Sequence, residues 1–198
     1  MIGVIRPLVK ESKKDKWLRF VGVYGFGALL SSATLGASAG AAGTVLAAGP
    51  RWPAVALVGS LGLLLAAGDL GMARGRTISA RRQTCPTWFR LFGPTGAWWF
   101  WGLDLGLGFS TIRVASSYWI SLAMAFVLGS AVLGAVVLGA YGTGLALNLV
   151  IAGLFLIPNE GNTPANVHAV GYRGRFRKAL GAVTVVLSVL LLLSSRVS

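Results

Sequence analysis

The chain has 198 residues, of which 55% are apolar and only 12% charged, and its mean hydropathy is +0.74. A soluble domain carries about 25% charged residues, so these figures exclude a water-covered globular monomer, and the high apolar content excludes intrinsic disorder. The remaining class is an integral membrane protein with two features to explain: 28 glycines, and 18 Lys and Arg against 5 Asp and Glu, a net charge of +13. In a soluble domain that charge would point to nucleic acid. In a membrane protein it points to cytoplasmic loops against anionic head groups, so lipid head groups are expected as partners and nucleic acid is not.

In chain order, residues 1–19 carry Arg6, Lys10, Lys13, Lys14, Lys16 and Arg19 and predict a basic cytoplasmic arm. A cleavable signal is disfavoured because the apolar stretch that follows is longer than a signal's apolar region. A first span is predicted over 20–48, about 43 Å if helical, long for one crossing and short for two. Gly49-Pro50 ends it, and Arg51-Trp52-Pro53 makes a turn. A second span follows over 54–73, then a basic loop with Arg74, Arg76, Arg81, Arg82 and Arg90 that also holds Cys85. A third is predicted over 96–116, with Trp98, Trp99 and Trp101 at one end and Tyr118 and Trp119 about 30 Å further on, the thickness of a hydrocarbon core. Residues 117–157 would make a helix of about 61 Å, so they divide into spans 117–138 and 140–157, with the break expected near Gly139-Ala140-Tyr141-Gly142. A polar loop over 158–178 precedes a last span over 179–194. That span is rich in Leu and Val, shows no row of small residues, and is expected to face lipid.

The fold expected is therefore an all-α polytopic membrane bundle, a single transmembrane domain over 20–198 with about six transmembrane helices, five being the alternative. The positive-inside rule places the N-terminal arm and the 74–90 loop in the cytoplasm. Six spans then put Arg173, Arg175, Arg177 and Lys178 outside, whereas five put them inside, leaving only three basic residues elsewhere. The rule favours five and the span lengths favour six. A re-entrant pair within 117–157 would reconcile them if protein covers its irregular backbone.

The glycines are ordered. Small residues recur every four positions at Ser32, Gly36, Gly40 and Thr44; at Ala67, Gly71 and Gly75; at Gly102, Gly106 and Ser110; and at Ala131, Ala135, Gly139 and Thr143. Such GxxxG-type rows let helix backbones approach closely in lipid, either inside the bundle or against a homo-oligomer or partner membrane subunit. A carboxylate within a span is costly and marks a functional candidate, which singles out Asp69 and Asp104, both expected near the cytoplasmic ends of neighbouring antiparallel spans. Arg113 and Asn148 complete a candidate polar path or ion site. For each there is a plainer role: pairing with a loop arginine for the aspartates, snorkelling for Arg113, hydrogen bonding between helices for Asn148.

Nothing in the chain suggests a catalytic group or cofactor. One cysteine, Cys85, allows no intramolecular disulfide. His168 is the only histidine and sits beside no nucleophile motif, and there is no Cys/His set for a metal. Residues 101–120, WGLDLGLGFSTIRVASSYWI, and 139–157, GAYGTGLALNLVIAGLFLI, resemble the second half of the CcdA/DsbD-type membrane thiol transporters. The resemblance implies a six-helix plan. That family relays electrons through a pair of intramembrane cysteines, and no predicted span here contains one, so thiol relay and the family's site residues do not carry over. The function expected is a small, non-redox membrane protein of transport type, or accessory to a transporter, in the cytoplasmic membrane. The alternative is a structural subunit of a larger membrane complex. An enzyme acting on lipid head groups ranks third, because Asp69 and Asp104 are the only carboxylates available to hold Mg²⁺.

Overall fold

The computed structural model describes residues 14–46, 52–72, 87–108, 117–156, 178, 181–186, 188–189 and 192. The regular structure among them is entirely helical: α1 (Lys14–Leu46), α2 (Trp52–Leu70), α3 (Trp88–Leu107), α4 (Ser117–Leu128) and α5 (Ala131–Leu156), with the described helical residues between 178 and 192 forming α6. Three stretches, Trp17–Val45, Trp52–Leu70 and Ala131–Val150, are long and apolar enough to cross a membrane. The chain is a helical protein of membrane type.

Helix α1 has 33 residues, about 50 Å at 1.5 Å per residue. It begins at Lys14, well before the apolar run, so Lys14, Lys16 and Arg19 belong to its first turns and not to a separate arm. Lys, Leu and Arg are good helix formers, and Trp17 and Val21 anchor this end by burial.

The other helices are arranged around α1, and small residues set the distances. Helix α5 runs antiparallel to it. Gly25 lies against Ala146, with 2.8 Å left for a Cβ; Gly36 meets Gly134 and Leu138; Gly40 meets the Ser130 carbonyl; and Gly43 meets the carbonyl of Phe126. Gly139 faces Leu29 and Ala33, and Gly142 faces Ala28 and the Ser32 hydroxyl. Ser32 is fully buried and donates to the Ala28 carbonyl at 2.6 Å. Helix α3 runs parallel to the first half of α1, Gly102 against the Tyr24 carbonyl and Gly106 against Ala28 and the Ser31 hydroxyl. An aromatic cluster seals that junction: Trp98 is buried among Trp17, Phe20, Tyr24 and Trp101, with centroid distances of 5.6–6.2 Å.

Three boundaries differ from those expected. The break in 117–157 lies at Gly129-Ser130, not at 139–142. Gly129 takes φ 55, ending α4, and Ser130 opens α5, its carbonyl accepting the Gly134 N–H at 2.9 Å. Gly139 and Gly142 stay helical because their missing side chains serve the contact with α1. Helix α3 stops at Leu107 and does not continue to 116: Gly108 takes φ 78 and its N–H returns to the Asp104 carbonyl at 3.3 Å. Its other end extends back to Trp88 through a break at Gly93 followed by Pro94. There Phe89 and Phe92 fold back onto Trp101 and Phe100, with ring centroids 4.9 and 4.5 Å apart. Pro94 suits the first position of the segment after the break, where no N–H is required.

Helix α4 has only 12 residues, about 18 Å. It lies along the part of α1 beyond α3: Leu35 and Ala39 join its cluster around Tyr118 and Ala125, and Gly43 reaches Phe126. In succession, α3 and α4 thus line one length of α1. Helix α2 packs on α4, with Ile120 beside Gly62, and on antiparallel α6. The last span, expected to show no row of small residues and to face lipid, has two faces: Ala182, Val183, Val186 and Val189 are exposed, while Gly181, Thr184 and Ser188 are buried, Gly181 and Ser188 against α2.

A branched side chain at the α1–α5 contact should therefore force the helices apart. Gly36→Val is expected to destabilise by about 1–3 kcal/mol, read as a lower thermal midpoint in detergent. Gly22→Ala, with no atom within 4 Å of the new Cβ, should be neutral or slightly stabilising.

Candidate functional site

A buried carboxylate and two buried hydroxyls lie between α2 and α6. Asp69, one residue from the end of α2, is 3% exposed; Thr184 is 1% and Ser188 0% exposed. A mainly apolar α2 carries the aspartate to this depth because the helix closes immediately after it. Gly71 adopts φ 86, and the Gly71 and Met72 amides return to the carbonyls of Gly68 and Ala67 at 3.2 and 2.9 Å. This double bond to the last turn satisfies carbonyls that would otherwise lack partners.

Close approach assembles the seam. Gly59 leaves 2.8 Å between a Cβ position and Leu192, Gly62 meets the Ser188 hydroxyl, and Gly181 leaves 3.2 Å to the Asp69 Cβ. Residues 181, 184 and 188 recur at helical spacing on one face of α6, opposite Asp69, Ala66 and Gly62. The Ser188 hydroxyl has no hydrogen-bond partner among the described residues. Ser188 lies opposite Gly62, about 10 Å along α2 from Asp69, so the carboxylate and the two hydroxyls are spaced along the seam as hard oxygen groups, suited to hard cations or polar solutes and unsuited to soft metals. Among the described residues no group of three His, Cys, Asp or Glu could hold a metal ion.

Asp104 is half-buried on α3, between Gly102 and Gly106. It does not join Asp69 on a neighbouring helix pair: α3 packs on α1, whereas α2 packs on α4 and α6. Asn148 on α5 donates to the Gly144 carbonyl of its own helix at 2.9 Å, a local bond and not a link between helices. Arg113, His168 and Cys85 lie outside the described residues. A second feature is a groove of about 480 Å³ lined by Ala39, Val58, Trp119, Leu122, Ala123, Phe126 and Val127, all apolar.

Sequence reasoning passed over Thr184 and Ser188. Their signal was present as Gly-x-x-Thr-x-x-x-Ser within a Val/Leu run, a mixed three-and-four spacing hidden from a search for strict four-residue rows. It also assigned Tyr118 to an interfacial belt. The ring is fully buried, and its hydroxyl donates to the carbonyl of Leu107. No family model matches the chain, and no curated protein or solved structure matches it significantly.

The α2–α6 register is open to direct measurement. In a Cys85→Ser background, Gly59→Cys with Leu192→Cys should cross-link on mild oxidation in membranes, read as a mobility shift on gels. Gly59→Cys with Ala182→Cys, at the opposite end of α6, should not.

Proposed function

We propose that this chain is a small, non-redox membrane protein of transport type, or the membrane accessory of a transporter, crossing the cytoplasmic membrane five times with its N-terminus inside. Support for five comes from the arrangement along α1. Helices α3 and α4 follow one another along a single length of it and count as one broken crossing; α1, α2, α5 and α6 supply the other four. The N-terminal segment, the 71–87 connection and the 157–177 connection then share one face. That face collects six, five and four of the 18 basic residues, counting those at the adjoining helix ends, which by the positive-inside rule is the cytoplasmic one. The five-crossing reading accords with both charge and span length, because α4, about 18 Å long, is too short to cross alone.

The observation that carries the transport reading is Asp69, a carboxylate 3% exposed against Gly181 of α6, in a seam that buries Thr184 and Ser188 further along. Ionisable groups inside a bundle are retained at substantial cost and mark ion or solute pathways. Oxygen groups spaced along such a seam fit a small cation or a polar solute passing between α2 and α6. Purified protein in liposomes, assayed with an entrapped pH-sensitive dye and with radioactive sodium, should pass at least one of the two ions. Asp69→Asn should lower that flux about tenfold, equivalent to about 1.4 kcal/mol, while Gly22→Ala leaves it unchanged. Absence of both fluxes in the wild type, or full flux in Asp69→Asn, rejects the reading.

A structural-subunit role is favoured by one surface. Thr34 and Ser38 are exposed on α1 with their hydroxyls bonded back to Leu30 and Thr34 carbonyls at 2.8 and 2.9 Å, and Ala42 continues the row outward. This leaves a flat face of small residues on the helix at the centre of the bundle. Ser38→Leu should release a co-purifying membrane partner if that role holds and should leave ion flux intact if it does not.

Topology is checked separately by labelling single cysteines with an impermeant maleimide. His168→Cys should react only from the cytoplasmic side and Ser130→Cys only from the outside. Reaction of His168→Cys from outside would restore six crossings.

A further inference from the structure

We propose that α4 is a lever within the membrane, pivoting at its Gly129 end and latched at the other by the Tyr118 hydroxyl on the Leu107 carbonyl. Four observations converge on it. The helix is 12 residues long and is separate from its neighbours at both ends. Gly129 closes it with φ 55, and α3 ends before it at Gly108 with φ 78. Both values lie in the left-handed region, where glycine turns without strain.

The latch is specific. Leu107 is the last residue of α3, so its carbonyl has no partner within that helix. In apolar surroundings an unsatisfied carbonyl is costly. Tyr118, fully buried, donates to it from the first turn of α4, and the ring is held by Trp119 and Tyr141 at 5.2 and 5.3 Å. Releasing the end of α4 breaks one hydrogen bond and leaves one carbonyl to find water, a barrier that separates two states without unfolding either.

A clamp fixes the pivot, and a groove runs along one flank of the helix. At the far end, Gly43 of α1 accommodates the Phe126 carbonyl and the Gly129 backbone so closely that no side chain fits between them. Along one flank of α4, the groove of about 480 Å³ separates Leu122, Ala123 and Phe126 from Ala39 of α1 and Val58 of α2. The helix is clamped at its pivot by backbone contact with Gly43 and bordered along its flank, from Trp119 to Val127, by the groove. Its latched end also carries Ile120, which reaches Gly62 in the α2–α6 seam, so a swing alters the wall of the seam that holds Ser188.

Hydrogen exchange read by mass spectrometry on the full chain in lipid nanodiscs tests this. Tyr118→Phe, which removes only the hydroxyl, should speed exchange of amides 119–128 roughly two- to tenfold, the factor for one net hydrogen bond, with α1 and α5 unchanged. Gly22→Ala, far from this helix and with no atom within 4 Å of its new Cβ, should leave α4 at the wild-type rate. Ala123→Leu, which fills the groove, should return the Tyr118→Phe protein towards that rate. The proposal fails if Tyr118→Phe leaves α4 unchanged, if exchange rises equally in α1 and α5, or if filling the groove has no effect.

Discussion

A lipid solvent supplies neither a hydrophobic drive between helices nor a partner for a stray backbone group. Both halves of that constraint shape this protein. Without the first, cohesion must come from van der Waals contact at short range, and α1 provides it. Gly36, Gly40 and Gly43 bring its backbone onto α5 and the end of α4, while Tyr24 and Ala28 receive Gly102 and Gly106 of α3. Side chains larger than glycine at these points would separate the helices and weaken the packing. The exposed faces of the same helices are apolar because lipid, not water, covers them, so the usual inside–outside contrast of a soluble fold is nearly absent.

The second half of the constraint governs the breaks. Each described break has a local solution: the Gly71 and Met72 amides at the end of α2, the Gly108 amide and the Tyr118 hydroxyl at the end of α3, the Gly129 amide and Ser130 carbonyl between α4 and α5. The α3–α4 break differs from the others in where it falls. The others lie at the ends of long helices, whereas this one lies opposite the middle of α1. There a tyrosine hydroxyl from the next helix takes the place of water.

How much of this the sequence disclosed follows the same physics. Membrane class, helicity and the ends of α2 were legible because apolar runs and Gly-Pro signals are local properties. The α4–α5 division was not: 117–157 is an almost unbroken apolar run, and a glycine that bends the chain, Gly129, looks like one that admits a neighbour, Gly139. Only tertiary contact separates them. Asp69 was visible as a lone charge in an apolar run, but the hydroxyls opposite it were masked by the Val and Leu around them. Asp104 was equally conspicuous, yet its helix packs elsewhere, so depth along the sequence did not translate into proximity.

The pairing of α2 with α6 also has a consequence for biosynthesis. Helix α2 is made soon after α1, but it packs on α4 and on α6, which follow it in synthesis. Until α6 is made, the face bearing Gly59, Gly62 and Asp69 lacks its final partner, and a carboxylate waits at the membrane through the synthesis of more than a hundred residues. Chains interrupted before α6 would thus present this glycine face and its carboxylate without their packing surface, a mark by which membrane quality control can recognise them.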